Sequence, residues 1–441
     1  MDQISNETDK SNTRDLLVFG VGLFISIFVP VIYFAAARHF YYEQPFLDNL
    51  SFKPNDVPGF VEIDSEVHPV GIHYFGDYLL THYWARPGNP WLDNPIVTYP
   101  PLALEVFRPF RIFPYKVGLI LYQLTITVCM VFPIFHSLRK LGTSYLVFGV
   151  GILGLLSGPV INALDRGNVF GLLPVMYYFA GIYVIRRSWL KASIFIAIAA
   201  SIKYVPIALS LLFLAQRKYV WFLFTCLLTG GGLVVMSALY PGPLKSTLTG
   251  IYNGAVPFLS SSPSEFLCYN TSYVASLAQI SNLLGLGELT NFVLLHSSML
   301  AISVSGIVTI LIVVSKLPTW IKVVLAMSLT TLLPTKIFSY SFVWVIAAVG
   351  IILFSSSYNL KNMQRDHLNY WEQRDFKFQK VALGLLVPIL VPWPIAIPAT
   401  SVLGCRTSII GIIGLVMTTI LIAFAIKEAL AMQKEYSLMK H

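Results

Sequence analysis

The sequence predicts an all-α polytopic membrane protein, and three observations lead to this fold class. Of its 441 residues, 56% are hydrophobic and only 12% are charged, whereas about 25% are charged in an average soluble domain. The mean hydropathy is +0.70. Apolar runs near the length of about 20 residues that a spanning helix needs recur along the chain, so we expect about 10–12 membrane helices. Such a composition excludes intrinsic disorder, a secreted disulfide scaffold and a soluble multidomain enzyme.

The first predicted helix is the apolar run 16–37, which follows the polar residues 1–15. It is longer than the about 7–15 apolar residues of a signal peptide, and no small-residue cleavage site follows it. It therefore predicts a retained spanning helix. The further spans predicted in order are 117–136, 144–162, 168–185, 218–240, 291–315, 319–333, 337–355, 381–400 and 407–426.

The region 190–216 is apolar, but Lys203 and Pro206 interrupt it. Basic clusters precede and follow it, and such clusters concentrate in cytoplasmic loops. Both clusters lie on one side only if the region enters and returns as a bent pair of short helices. This threading predicts that both termini are cytoplasmic, including the tail 427–441.

Two large external loops result from this threading, 38–115 and 241–290, the second with a short helix over 272–285. Structureless loops longer than about 12–15 residues are usually functional or disordered. These loops hold many aromatic residues and prolines, so we expect them to be ordered. The chain is predicted to form one membrane domain over 1–441, with spans in 117–240 and 291–426, and with any chemistry facing outward.

The net charge of +9 does not indicate a nucleic-acid partner here, because basic residues accumulate in the cytoplasmic loops of membrane proteins. The cysteines lie far apart and lack metal-ligand spacing. Cys129 and Cys226 lie inside apolar runs and are interpreted as small apolar side chains. Cys268 and Cys405 lie in predicted external loops, which leaves a pairing between them open.

Asp77 is an acid in an aromatic, almost uncharged segment, 73–78. Such surroundings suit proton transfer, although a solvated loop acid or a helix cap would look the same. Farther along, Pro101 suits the first turn of a helix, and Arg108 and Arg111 alternate with apolar residues. That pattern is typical of a helix in the membrane interface, with or without a part in catalysis.

Two further polar segments need an explanation. The turn 165–168 holds residues that are common in tight turns, but an adjacent acid and base could also hold a phosphate or a sugar hydroxyl. Lys203 lies at membrane depth, where a lysine costs about 2.5–3.5 kcal/mol on insertion scales. We therefore expect it to face a bound anion, with a snorkelling lysine as the alternative. Lys336, in the turn 334–336, is a second candidate for the same anion.

These segments together resemble glycosyltransferase family 87, a polyprenyl-phosphate-sugar-dependent branch of the GT-C superfamily that includes actinobacterial mannosyltransferases of phosphatidylinositol mannosides and lipomannan. The resemblance runs from about residue 70 to residue 345. The segments that carry it are, in order, Gly76-Asp77-Tyr78, Asn89-Pro90, Tyr99-Pro100-Pro101, Gly167-Asn168-Val169, 199–206, Arg217-Lys218 and Asn270-Thr271-Ser272.

The resemblance implies a GT-C fold and an inverting transfer of a sugar, with mannose expected, from a polyprenyl phosphate to a lipid-linked or cell-envelope glycan. It implies Asp77 as the catalytic base and three cations for the donor phosphate, Lys203, Arg166 and Lys336. The substrate-binding residues it implies are His73, Tyr78, Tyr99, Asn168, Asn270 and Tyr340. No cofactor and no metal are expected, because the acids at 62–66 are interpreted as a solvated stretch.

The sequence departs from the family pattern at two places. A histidine expected near Tyr340 is missing, and Asp165-Arg166 replaces small or Gly-Gln residues. Both changes leave another sugar open, such as arabinofuranose. A transporter or flippase of lipid-linked glycans would also have ten or more spans, a broken helix and an intramembrane lysine. A non-catalytic partner in envelope assembly is a third alternative.

Overall fold

The computed structural model describes residues 76–93, 97–141, 160, 163–164, 166–260, 270–337, 339–363, 370–390, 396–397 and 407–438. These residues are largely helical. The helices are α1 Gly76–Trp84, α2 Pro90–Asp93, α3 Pro101–Arg111, α4 Tyr115–Leu141, α5 Leu173–Ile185, α6 Trp189–Ile202, α7 Leu211–Ala215, α8 Tyr219–Ala238, α9 Leu244–Ser260, α10 Tyr273–Leu283, α11 Gly287–Leu295, α12 Ser297–Val314, α13 Thr319–Leu332, α14 Trp344–Met363, α15 Tyr370–Leu390 and α16 Ile409–Leu438. The 3-10 helices are Val169–Leu172, Val205–Ser210 and Ser339–Val343, and the two-residue strands β1 (Ala396–Ile397) and β2 (Thr407–Ser408) pair antiparallel.

Within the described ranges, four helices are long and apolar enough to cross a membrane. The apolar stretches are Val117–Leu138 in α4, Tyr219–Ala238 in α8, Ser297–Val314 in α12 and Gly411–Lys434 in α16. Half or less of each is buried inside the protein. Their apolar outer faces are those of lipid-facing helices, which confirms the all-α membrane fold class.

Several helix boundaries differ from the predicted spans. The predicted span 291–315 is two helices, α11 and α12, which meet at His296. Helix α15 begins at Tyr370, earlier than the predicted start at 381, and α16 continues to Leu438, well into the predicted tail. A hydropathy window detects the apolar part of a helix, whereas its backbone hydrogen bonds continue through polar turns. The span 16–37 and most of 144–162 lie outside the described residues.

The core lies along α13 and α14. Every residue from Trp320 to Leu332 is buried, and α14 packs against α4, α5, α13 and α15. The crossing of α4 and α14 is close at Gly350, where an added Cβ would lie 3.0 Å from the carbonyl oxygen of Pro133. The Ser137 hydroxyl donates to the Gly350 carbonyl oxygen at 2.7 Å. The absent side chain therefore lets the two backbones touch.

The helix break at Lys203 exists in the structure. Helix α6 ends at Ile202, Lys203 is extended (φ −144°, ψ 137°), and the 3-10 helix Val205–Ser210 follows. The rings of Phe213 and Trp189 lie 6.3 Å apart, and the Lys218 ammonium lies 5.7 Å from the Trp189 ring. The chain therefore returns to the end at which α6 begins, as the hairpin prediction requires. The membrane side of that end stays a prediction.

Candidate active site

The candidate site is centred on Asp77, in the first turn of α1. The positive end of the helix dipole favours a carboxylate at this position. The Thr81 hydroxyl donates to the Asp77 carbonyl oxygen at 2.6 Å, one turn along the helix. The Asp77 side chain is only 12% exposed, so its charge must be balanced by protein groups.

Arg166 and Asn168 supply that balance. The Nε and Nη2 atoms of Arg166 donate to the two carboxylate oxygens of Asp77 at 2.7 and 3.2 Å. The Asn168 amide Nδ2 adds a third bond, at 2.7 Å to Oδ2. Burial is the largest single effect on the pKa of the Arg166 guanidinium and lowers it, but the charge and hydrogen bonds of Asp77, together with Tyr340 and Tyr99, raise this pKa above its usual value. The result is a buried, bidentate ion pair, with both groups charged.

The local sequence explains why the turn presents these donors. Gly167 has a φ of +63°, and an added Cβ there would lie 2.6 Å from the Cβ of Tyr78, so only glycine fits. The Asn168 Oδ1 accepts a hydrogen bond from the Phe170 amide at 2.9 Å and caps the following 3-10 helix. This cap fixes the Asn168 amide so that its nitrogen faces Asp77.

Lys203 joins the site from the break after α6. Its ammonium lies 3.9 Å from the ring centroid of Tyr99 and 5.3 Å from that of Phe170. Both distances are within the range of a cation–π interaction. The ammonium is also within electrostatic range of Asp77 and Arg166. The helix break therefore places a cation beside the buried ion pair.

Two tyrosines form part of the surroundings. The Tyr99 hydroxyl lies 3.4 Å from the Asn168 Nδ2, and burial, followed by the charge of Asp77, raises the pKa of this phenol well above its usual value. The Tyr340 ring lies 5.4 Å from the Phe170 ring, and the Arg166 guanidinium carbon lies 5.4 Å from the Tyr340 ring. Tyr99 therefore lies beside Asn168 and Tyr340 beside Arg166, and their expected contact with the substrate stays a prediction.

Asn270 braces the loop that carries Lys336. The Asn270 Nδ2 donates to the Thr335 carbonyl oxygen at 2.8 Å, and its Oδ1 accepts from the Ile337 amide at 3.1 Å and the Ser272 amide at 3.0 Å. Lys336 itself is buried. Both polar atoms of the Asn270 side chain are therefore bonded to protein, which gives Asn270 a positioning role; the direct substrate contact expected from the sequence stays a prediction.

Tyr78 is an expected substrate contact, and this contact stays a prediction. It is fully buried, and its ring lies 5.3 Å from Phe107 and 5.4 Å from Tyr122. It therefore packs in the aromatic core behind Asp77. His73, the acids at 62–66, Cys268 and Cys405 lie outside the described residues, whereas Cys129 and Cys226 are partly buried free thiols.

The sequence did not predict the structural roles of two residues, Phe170 and Asn89. Phe170 forms an aromatic wall of the site, and no sequence signal marks it except its position after Gly167-Asn168. The Asn89 amide donates to the Pro241 carbonyl oxygen at 2.9 Å and to the Thr247 hydroxyl at 2.6 Å. Asn89 therefore links the first loop to the start of α9 by hydrogen bonds, which gives the Asn89-Pro90 segment a structural role.

The comparisons with known proteins show the family of the chain. The family model of glycosyltransferase family 87 matches residues 98–335, just over half of the chain. The match includes Arg166, Asn168, Lys203 and Asn270 and begins after Asp77. No curated protein and no solved structure matches the chain significantly. The helical membrane architecture is consistent with a GT-C-like fold. The chain thus belongs to glycosyltransferase family 87 and is a glycosyltransferase.

Proposed function

We propose that this glycosyltransferase moves mannose from a polyprenyl-phosphate donor to a lipid-linked or cell-envelope glycan acceptor, on the external face of the cell membrane and with inversion. The observation that carries the proposal is the buried Asp77 carboxylate, which Arg166 and Asn168 orient beside the Lys203 ammonium. The chain would cross the membrane several times with both termini in the cytoplasm, as the distribution of basic residues indicates.

Asp77 acts as the general base in this proposal. One carboxylate oxygen takes the proton of an acceptor hydroxyl while the hydroxyl oxygen attacks C1 of the sugar. The bond from C1 to the phosphate oxygen breaks, and the polyprenyl phosphate leaves with the bonding electrons. Hydrogen bonds from Arg166 and Asn168 to the carboxylate favour its charged, proton-accepting form and fix its direction.

The leaving phosphate needs positive charge as the bond to C1 breaks. Lys203 is the first candidate, because its ammonium is held against aromatic rings and has no carboxylate at ion-pair distance among the described residues. Lys336 is the second, on the loop that Asn270 braces. Arg166 is bonded to Asp77, so we assign it to orienting the base and adding positive charge near the phosphate. Tyr99, Tyr340 and Asn168 are the proposed contacts of the sugar.

The position of the ion pair favours transfer over transport. Transporters place ionisable groups near the bilayer midplane, on interrupted spanning helices. Asp77 belongs instead to the short helix α1, Arg166 is the last helical residue before Gly167, and neither lies in one of the four candidate spans found among the described residues. The family membership supports the same choice, since it makes the chain a glycosyltransferase.

The donor class is tested with purified full-length protein in detergent. The acceptor is a phosphatidylinositol-mannoside extract, and the labelled donors are polyprenyl-phosphate-mannose, polyprenyl-phosphate-arabinose and GDP-mannose. We expect labelled product from the mannose lipid alone, with the anomeric configuration inverted in its NMR spectrum. Transfer from the arabinose lipid would change the proposed donor sugar from mannose to arabinofuranose. Transfer from GDP-mannose would overturn the proposal of a lipid-linked donor.

A further inference from the structure

A second group of charged residues lies on α1 and α3, which pack against each other. We call it the basic cluster, and it consists of His82, Arg86, Arg108 and Arg111. His82 is in the last turn of α1, and Arg108 and Arg111 are in the last turn of α3. Arg86 follows α1, with its guanidinium carbon 4.1 Å from the Tyr83 ring centroid.

The basic cluster has an excess of positive charge. Arg108 pairs with Glu105 at 3.0 Å, but Arg86 and Arg111 have no carboxylate partner among the described residues. Burial, followed by the charges of Arg108 and Arg86, lowers the pKa of the Arg111 guanidinium. Burial and then the charge of Arg111 lower the pKa of His82. His82, Arg86 and Arg108 therefore each lie within electrostatic range of Arg111, and an anion bound beside Arg111 would relieve the repulsion between the like charges.

Large apolar side chains lie exposed beside the basic cluster. Ile112 is 83% exposed, and Phe113 and Val117, which follow it towards α4, are each 44% exposed. Tyr83, under the Arg86 guanidinium, is 49% exposed. An apolar surface next to cations is typical of protein segments that lie in a membrane interface.

Helix α4 fixes the level of this surface in the bilayer. Its apolar stretch Val117–Leu138 has 22 residues, which at about 1.5 Å per residue is about 33 Å. That length matches the about 30 Å of a hydrocarbon core. Residues just before Val117, among them Arg111 and Phe113, therefore lie in the headgroup layer, where lipid phosphates are found.

We propose that the basic cluster binds the phosphate of an anionic phospholipid from the surrounding membrane. Arg86 and Arg111 donate hydrogen bonds to the phosphate oxygens, and the exposed side chains of Ile112, Phe113 and Val117 pack among the acyl chains. Charge complementarity selects this occupant, since arginines without carboxylate partners at the headgroup level favour anionic lipids. The site is separate from Asp77 and does not depend on the proposed donor or acceptor.

The test measures lipids retained by the full-length protein. Protein in detergent is incubated with an equimolar mixture of phosphatidylglycerol and phosphatidylcholine of the same acyl chains, and bound lipid is counted by native mass spectrometry. The variants are Arg86→Gln with Arg111→Gln, the charge-keeping pair Arg86→Lys with Arg111→Lys, and the control Lys245→Gln. Lys245 is an exposed cation at the start of α9, outside the basic cluster.

We expect the wild-type protein and the Lys245→Gln control to prefer phosphatidylglycerol. The preference should fall about fivefold for each arginine neutralised, hence about 25-fold in the double glutamine variant, and the lysine pair should keep most of it. Excess inorganic phosphate should not displace the lipid. Equal binding of the two lipids by wild type, an unchanged preference in the glutamine pair, or displacement by inorganic phosphate would each overturn the proposal.

Discussion

The variant Arg166→Met tests how much the buried ion pair with Asp77 contributes to the free energy of unfolding. The two side chains are 9% and 12% exposed, and Arg166 makes two of the three hydrogen bonds described for the carboxylate. Removing one partner of a buried ion pair costs about 3–5 kcal/mol, because the other charge is left without compensation. Since the Asn168 bond remains, we expect the lower end of that range, about 3 kcal/mol.

The assay is reversible unfolding in mixed micelles, with the free energy of unfolding taken from the denaturant midpoint and slope. Arg108→Met is the matched control, because Arg108 and Glu105 form a more exposed pair, 42% and 21% exposed, whose loss should cost less than about 1 kcal/mol. The double variant Asp77→Asn with Arg166→Met should recover most of the loss, since no buried charge remains. A cost for Arg166→Met no larger than for Arg108→Met would refute the reasoning.

Three further outcomes are expected. Asn270→Ala removes the side-chain hydrogen bonds that brace the Lys336 loop, so it should destabilise the protein by about 1–3 kcal/mol. It should also raise the KM for the donor more than it lowers kcat, whereas a purely structural role would leave KM unchanged. Gly350→Ala places a Cβ 3.0 Å from the Pro133 carbonyl oxygen and should destabilise the protein by about 1 kcal/mol. Its control Gly384→Ala, which has open space around the added Cβ, should be neutral or stabilise the protein by about 0.5–1 kcal/mol. Both free energies are measured by unfolding. Because burial raises the pKa of the Tyr99 phenol well above its usual value, Tyr99 stays protonated below about pH 10, and the pH–rate profile of Tyr99→Phe should keep the wild-type shape; a shifted alkaline limb would contradict this.

The fold class was predictable because composition and hydropathy report the solvent around a helix. The break at Lys203 was predictable for a related reason, since a lysine and Pro206 interrupt an apolar run. Helix ends were not predictable in the same way. Helix α15 begins at Tyr370, in a charged stretch, and His296 divides an apolar run into two helices, because hydropathy does not report backbone hydrogen bonding.

The sequence predicted which residues form the candidate site better than it predicted which of them contact each other. The order of the motifs along the chain assigned Asp77, Asn168 and Lys203 to one site. Nothing in the sequence, however, shows that Arg166 bonds to an acid 89 positions away. For Asn270 and Tyr78, too, the sequence does not show which groups the side chain contacts. A loop asparagine can hold a sugar or brace a turn with the same amide, and a tyrosine next to a carboxylate can face the substrate or the core. Only the packing of distant segments decides between these roles.

The most direct test of the account is sugar transfer by Asp77→Asn. Purified wild-type and variant proteins are given labelled polyprenyl-phosphate-mannose and a phosphatidylinositol-mannoside extract, and product is measured over time. Glu288→Gln is the matched control, since Glu288 is an exposed acid in the first turn of α11, as Asp77 is a buried one in the first turn of α1. We predict that Asp77→Asn, although destabilised by about 3–5 kcal/mol because Arg166 loses its partner, still folds and lowers the transfer rate by about 10²–10⁴-fold, and that Glu288→Gln keeps the wild-type rate. Transfer by Asp77→Asn at the wild-type rate would contradict the assignment of Asp77 as the base.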